Sequence, residues 1–164
     1  MSPKARTLYL MRHAEPVWGG PGVGDLQRPL TERGKRQAAA QGELLRERGI
    51  ERVLCSPAFR TRETAQLAGL GTGITEIPVL YNSSASRIRT QLAAIPEYVY
   101  GVLVVAHHPG IAELARYLAN GASDASALAL IRHCFPPGTL VGLEFNDLWP
   151  DLHSGRLFLA RIPG

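Results

Sequence analysis

Three short apolar runs, each stopping at polar residues and each followed by a helical pattern, constrain this 164-residue chain more than any other feature. Thr7 to Met11 stops at Arg12-His13, Arg52 to Cys55 stops at Ser56-Pro57, and Val102 to Ala106 stops at His107-His108-Pro109. Apolar, β-prone runs of this length read as buried strands. Strands alternating with helices select an α/β architecture: a three-layer α/β/α sandwich with a mostly parallel central sheet and helices on both faces. In such sheets ligands bind beyond the carboxyl ends of the strands, which is where these polar residues fall.

Between the strands, a glycine-rich loop (Gly19 to Gly24) leads to a helix predicted from about Thr31, whose hydroxyl can cap it, to Gly49, which can end it. Gly34, Ala38, Gly42 and Leu45 share one face of that helix, small enough to lie close on the sheet. The loop glycines match neither a Walker nor a dinucleotide pattern. Ser56 as N-cap and Pro57 at the first position predict a second helix through about Ala68, with Arg60 and Thr64 on one face. Ile74 to Tyr81 is expected to hold a short strand and Ser84 to Ile95 a helix, within limits set by Pro78 and Pro96. After His107-His108-Pro109 a helix turns Ile111, Leu114, Ala115 and Leu118 inward, and Thr139 to Phe145 and Arg156 to Ile162 form two antiparallel strands. No repeat or linker interrupts the chain, so residues 1–164 are expected to form a single domain.

The net charge of +4 is almost wholly arginine, since only Lys4 and Lys35 are lysines. Arginine is the better bidentate partner for phosphate. The basic residues are spread without a run, which argues against a nucleic-acid footprint. No segment reaches membrane-spanning length, and the apolar stretch Leu8 to Met11 is too short for a secretory leader, so a cytoplasmic protein without a membrane partner is expected. Cys55 and Cys134 have no metal or redox spacing and suit a reducing compartment.

Arg12-His13, Ser56 with Arg60, and His107-His108 therefore converge on one sheet edge. A neutral imidazole is a good nucleophile near neutral pH, and arginine donors offset charge on phosphoryl oxygens and on the transition state. Each residue also has a bland reading, as a satisfied polar cap or a surface arginine. Cys55 and Arg60 are one residue short of the loop spacing of cysteine-dependent phosphatases, so Cys55 reads as a small buried residue. His107, His108, His133 and Cys134 lack recognised ligand spacing, and no metal or other cofactor is expected.

The segment LYLMRHAE, Leu8 to Glu15, resembles the strand and Arg-His-Gly signature of the histidine phosphatase superfamily, which includes phosphoglycerate mutases. DLQRPLTERGKRQA (Asp25 to Ala38), SPAFRTRETA (Ser56 to Ala65) and VVAHHPGI (Val104 to Ile111) are similar to its helix start, second arginine motif and second histidine motif. The ending FPPGTLVGLEF resembles the short bacterial branch typified by the phosphohistidine phosphatase SixA. The resemblance implies a phosphoglycerate mutase-like fold and a nucleophilic His13 in a phosphate pocket of Arg12, Arg60 and His107. It implies a phosphohistidine enzyme intermediate, and as partner a phosphohistidine protein or a small phosphate ester.

Several positions depart from the family pattern. Ala14 stands where the broad family has glycine, and Gly19 where an asparagine follows the tryptophan, here Trp18. His108 replaces an asparagine and is expected either to donate to the substrate or, as the favoured role, to cap the following helix. Leu80-Tyr81-Asn82 offers an amide where many members carry a glutamate acid, leaving Glu15 and Asp25 as candidate general acids. A phosphohistidine substrate needs less acid assistance, because imidazole leaves more readily than an alkoxide. The alternatives are a phosphate- or phosphoprotein-binding module without turnover and, less favoured, a mutase-like phosphotransferase.

Overall fold

The computed structural model describes residues 4–164. Its strands are β1 (Arg6–Arg12), β2 (Arg52–Cys55), β3 (Ile74–Glu76), β4 (Gly101–Ala106), β5 (Leu140–Phe145) and β6 (Arg156–Arg161), in the sheet order β3-β2-β4-β1-β5-β6. The four leftmost are parallel; β5 runs antiparallel to β1, and β6 antiparallel to β5. This is the mostly parallel sheet expected, closed on one side by the antiparallel pair.

Strand alternation assigns side chains to two cores. Leu8 and Leu10 of β1 join Val102, Val104 and Ala106 of β4 on one face, while Tyr9, Met11, Leu103 and Val105 line the other. The first face is covered by α3 (Ala85–Ala93), α4 (Gly110–Leu118) and α5 (Ala125–His133), which contribute Ile88, Leu92, Ile111, Leu114, Leu118 and Ile131. The second is covered by α1 (Glu32–Leu45) and α2 (Phe59–Ala68), through Leu45 and Ala65. Because β4 is buried along its whole length, a continuous apolar run rather than an alternating one encodes it.

Register carries the strand ends to one edge. Arg12 pairs with Ala106 and Cys55 with Val105, so the residues that follow, His13, His107 and Ser56, emerge side by side.

Local differences from the sequence expectation have physical causes. Helix α2 begins at Phe59 with Ala58 as its N-cap, not at Ser56-Pro57, because the Ser56 hydroxyl is engaged by a histidine. The third strand stops at Glu76 and continues as a 3-10 turn over Pro78–Leu80. Thr31 caps α1 as expected, accepting from Gly34 N at 2.9 Å, but the helix ends at Leu45, and Gly49 (φ 71°) makes a left-handed turn before β2. The small face of α1 serves a neighbouring helix end and a loop rather than the sheet: a Cβ on Gly42 would sit 1.9 Å from the Ala68 carbonyl oxygen, and one on Gly34 2.2 Å from that of Glu15. Helix α5 lies in a stretch for which the sequence carried no expectation. No helix among the described residues is long and apolar enough to cross a membrane, and both cysteines are free thiols.

Candidate active site

His13 leaves the end of β1 with its backbone held on both sides. Its N–H donates to the Ala106 carbonyl at 3.1 Å, and its carbonyl accepts from Gly138 N at 2.8 Å. Ala14 N donates to Thr64 Oγ1 at 3.0 Å and Glu15 N to Gln37 Oε1 at 3.0 Å, so α2 and α1 both hold the following turn. The imidazole, only 6% exposed, places Nδ1 2.8 Å from the Ala14 carbonyl oxygen. A carbonyl can only accept, so Nδ1 carries the proton and Nε2 keeps its lone pair. Burial lowers the His13 pKa from 6.5 to about 3, against the Ala14 carbonyl, which raises it; His107, Arg60 and Arg12 lower it further.

His107, at the end of β4, faces His13 with ring centroids 5.4 Å apart. Arg60, 4% exposed on the first turn of α2, places Nη2 3.3 Å from His107 Nδ1. Guanidinium can only donate, so this nitrogen accepts, and the proton sits on Nε2, which donates to Ser56 Oγ at 2.7 Å. Burial, then Arg60, lowers His107 to about 4. Arg60 is also bound to Asp25, donating from Nη1 to its carbonyl at 2.7 Å and from Nη2 to Oδ2 at 3.1 Å. Tyr81 donates its hydroxyl to the same carboxylate and stands edge-on to His107, with ring centroids 5.5 Å apart. The Tyr81 hydroxyl, then Arg60, hold Asp25 down to about 2, so it is a carboxylate here.

Arg12 extends toward α5 and donates from Nη1 to the Phe135 carbonyl at 2.8 Å, while its Nε is buried without a partner. The Glu15 carboxylate is used differently: it accepts from Thr31 Oγ1 at 2.7 Å and from Arg33 Nη1 at 3.5 Å, fastening the start of α1. His108 does not cap α4: the N-cap is Pro109, with no side-chain capping bond, and His108 instead lines a cleft with Arg12. Cys55 is buried, donates to the Ser56 carbonyl at 3.2 Å, and has its thiol pushed up by burial to about 12, which leaves it inert near neutral pH.

The structure thus gathers His13, Arg60, His107 and Asp25, with Arg12 alongside, and leaves Glu15 in a local structural role. Ser56 lies at this edge as the sequence pattern predicts, but its hydroxyl bonds His107 instead of capping α2. Tyr81, which the strand and helix pattern does not mark, is a phenol standing beside the position where the family carries an acid, and it is bonded to Asp25. Asn82 is exposed, with φ 50°.

The sequence profile of the histidine phosphatase superfamily (branch 1) matches residues 8–83. An uncharacterised protein of Mycobacterium leprae is 31% identical over 160 residues, covering 93% of this chain and 99% of that one. Among solved structures, a candidate phosphohistidine phosphatase SixA from Nakamurella multipartitia superposes with a TM-score of 0.88 at 34% identity over 99% of both chains. One from Agrobacterium tumefaciens superposes with a TM-score of 0.80 at 26% identity, covering 96% of this chain and 99% of the other. With its strand-edge histidines and arginines on a phosphoglycerate mutase-like sheet, the chain belongs to the histidine phosphatase superfamily, in the SixA-type branch.

Proposed function

We propose that the chain is a phosphatase that passes a phosphoryl group from its substrate to His13 Nε2 and then to water, within a single domain spanning residues 1–164. The observation that carries this reading is the fixed His13 tautomer: Nδ1–H is committed to the Ala14 carbonyl, so a neutral ring presents its free Nε2 lone pair to the pocket.

A phosphoryl group entering the pocket competes with Asp25 for Arg60. Its oxygens take the guanidinium donors now spent on Asp25 and meet the Arg12 guanidinium from the other side. The incoming negative charge opposes the lowering of the His107 pKa by Arg60, so His107 takes up a proton at Nδ1 and donates it to a phosphoryl oxygen while Nε2 stays bonded to Ser56. His13 Nε2 then attacks phosphorus, a P–N bond forms, and the bond to the leaving group breaks in line. Water attacks the phosphoramidate in the second step, and His13 recovers its lone pair as phosphate leaves.

Asp25 is the better placed of the two candidate acids, since Glu15 is held by Thr31 and Arg33. Once Arg60 turns to the phosphoryl group, Asp25 keeps its bonds to Tyr81 and Arg28 but loses one of the groups that hold its pKa down and faces a dianion, and both changes raise that pKa. A phosphohistidine protein is the favoured substrate, in keeping with the SixA relatives and with the weak demand of an imidazole leaving group for an acid; small phosphate esters are the alternative. The two free thiols suit a cytoplasmic setting.

Phosphate release from phosphohistidine peptides, aryl phosphates and alkyl phosphates tests this function. Wild-type turnover is expected, and His13→Asn and Arg60→Ala are each expected to lower kcat/KM by roughly a hundredfold or more. Binding of phosphate without turnover of any substrate would identify a binding module instead.

A further inference from the structure

Beside the pocket, a cleft of about 350 Å³ runs between the end of β1, the residue His108 after β4, the last turn of α4 and the C-terminal end of α5. It is lined by Arg12, His108, Arg116 and His133, with Phe135 and Pro136 as its apolar wall. Arg12 belongs to both spaces, so the cleft opens directly from the place where the phosphoryl group is read to bind.

The charges in this cleft are unbalanced. Arg60, deeper in, has Asp25 as its counter-ion, whereas neither Arg12 nor Arg116 has a carboxylate within ion-pair distance among the described residues. Arg116 is positioned rather than free: its Nε donates to the Ile131 carbonyl at 2.7 Å, tying α4 to the last turn of α5 and leaving both Nη groups without a partner among the described residues. Glu113, a turn earlier on α4, makes no ion pair among the described residues. Burial, then Arg12 and Arg116, lower the His108 pKa, while Glu113 raises it by less than either arginine lowers it.

Resting on the phosphatase reading, we infer that this cleft is a subsite for a second anionic group on the substrate, a carboxylate or phosphate a few bonds from the transferred phosphoryl group. Arg116 and His133 receive that oxyanion, and Arg12 bridges the two anions. A substrate carrying only one anionic group leaves the subsite unused. The same chemistry is offered by a phosphorylated carboxylic acid of low molecular weight or by an acidic side chain flanking a phosphohistidine.

The experiment measures kcat/KM for wild type, Arg116→Gln, Arg116→Lys and His133→Asn on three kinds of substrate. p-Nitrophenyl phosphate has a single anionic group; 3-phosphoglycerate set against glycerol 3-phosphate adds a carboxylate; phosphohistidine peptides that differ only in Asp or Asn beside the phosphohistidine add an acidic side chain. The second anion is expected to raise wild-type kcat/KM roughly ten- to hundredfold. Arg116→Gln is expected to abolish that advantage while leaving p-nitrophenyl phosphate within about twofold, and Arg116→Lys, which keeps the charge but not the clamp on Ile131, is expected to retain part of it. His133→Asn, at an exposed position, is expected to reduce the advantage without lowering the thermal midpoint. An advantage confined to the carboxylate pair assigns the subsite to small molecules, and one confined to the Asp peptide assigns it to a protein. Absence of any advantage in wild type, or an equal loss on every substrate, overturns the subsite. Should no substrate turn over, the phosphatase reading fails, and calorimetric affinities for 3-phosphoglycerate against glycerol 3-phosphate in the same variants still decide the subsite.

Discussion

His13 can attack only through Nε2, because its Nδ1 proton is held by the carbonyl of the next residue, and burial keeps the ring neutral far below the usual range. An ordinary imidazole titrates near 6.5. Over pH 5 to 8 the His13 ring resonances are therefore expected not to titrate in the ligand-free protein; a midpoint near 6.5 would show that the pocket does not exclude charge from the ring. Ser56→Ala removes the acceptor of the His107 Nε2 proton and is expected to lower kcat/KM by about tenfold, through orientation rather than contact with phosphate. If Asp25 protonates the leaving group, Asp25→Asn slows alkyl phosphates far more than p-nitrophenyl phosphate, and a loss independent of leaving-group basicity would refute that role. His13, Arg12, Arg60 and His107 were legible from sequence because each sits at, or one turn beyond, a strand end whose apolar run is unmistakable. The bonds of Ser56 to His107 and of Tyr81 to Asp25 were not, since each joins segments that only the folded sheet brings together.

At the level of elements, the strands and α1, α3 and α4 follow from local pattern, whereas the start of α2 and the whole of α5 do not. Ser56-Pro57 is a strong local helix start, but the Ser56 hydroxyl has a buried histidine to satisfy, and the helix begins two residues after Pro57. Helix α5 is nine residues long and only Ala127 and Ile131 are buried, so its periodic signal is weak; Asp124, which accepts from Ala127 N at 2.8 Å, is the cap that could have revealed it. The contact between α1 and α2 depends on Gly42, where a Cβ would meet the Ala68 carbonyl oxygen. Gly42→Ala must push the two helices apart, and because α2 carries Arg60 and the Thr64 that holds Ala14, the site moves with it. A destabilisation of about 2 kcal/mol is expected, seen as a thermal midpoint lowered by roughly 4–8 °C. An unchanged midpoint would mean that the helices yield freely there.

For the whole molecule, two buried neutral histidines couple stability to pH. The folded-state pKa values of His13 and His107, about 3 and about 4, lie below the ordinary 6.5, so between those limits the unfolded chain binds protons that the folded chain does not. Stability from this source is complete above pH 6.5 and is lost as pH falls toward 4, by roughly several kcal/mol in total. Urea unfolding at pH 7 and pH 4.5 is expected to show this loss, and His107→Gln to reduce it; equal stability of wild type at the two values would contradict the charge exclusion. The same exclusion keeps the nucleophile ready at neutral pH, and the central claim is that the phosphoryl group passes through it. The most direct measurement is to mix wild type and His13→Ala with a labelled activated phosphate, quench rapidly, and locate the label by peptide mass spectrometry while following released phosphate. The account predicts acid-labile, base-stable label on His13 of wild type alone, with continuing release; release without label on His13, or equal label on the variant, would contradict it.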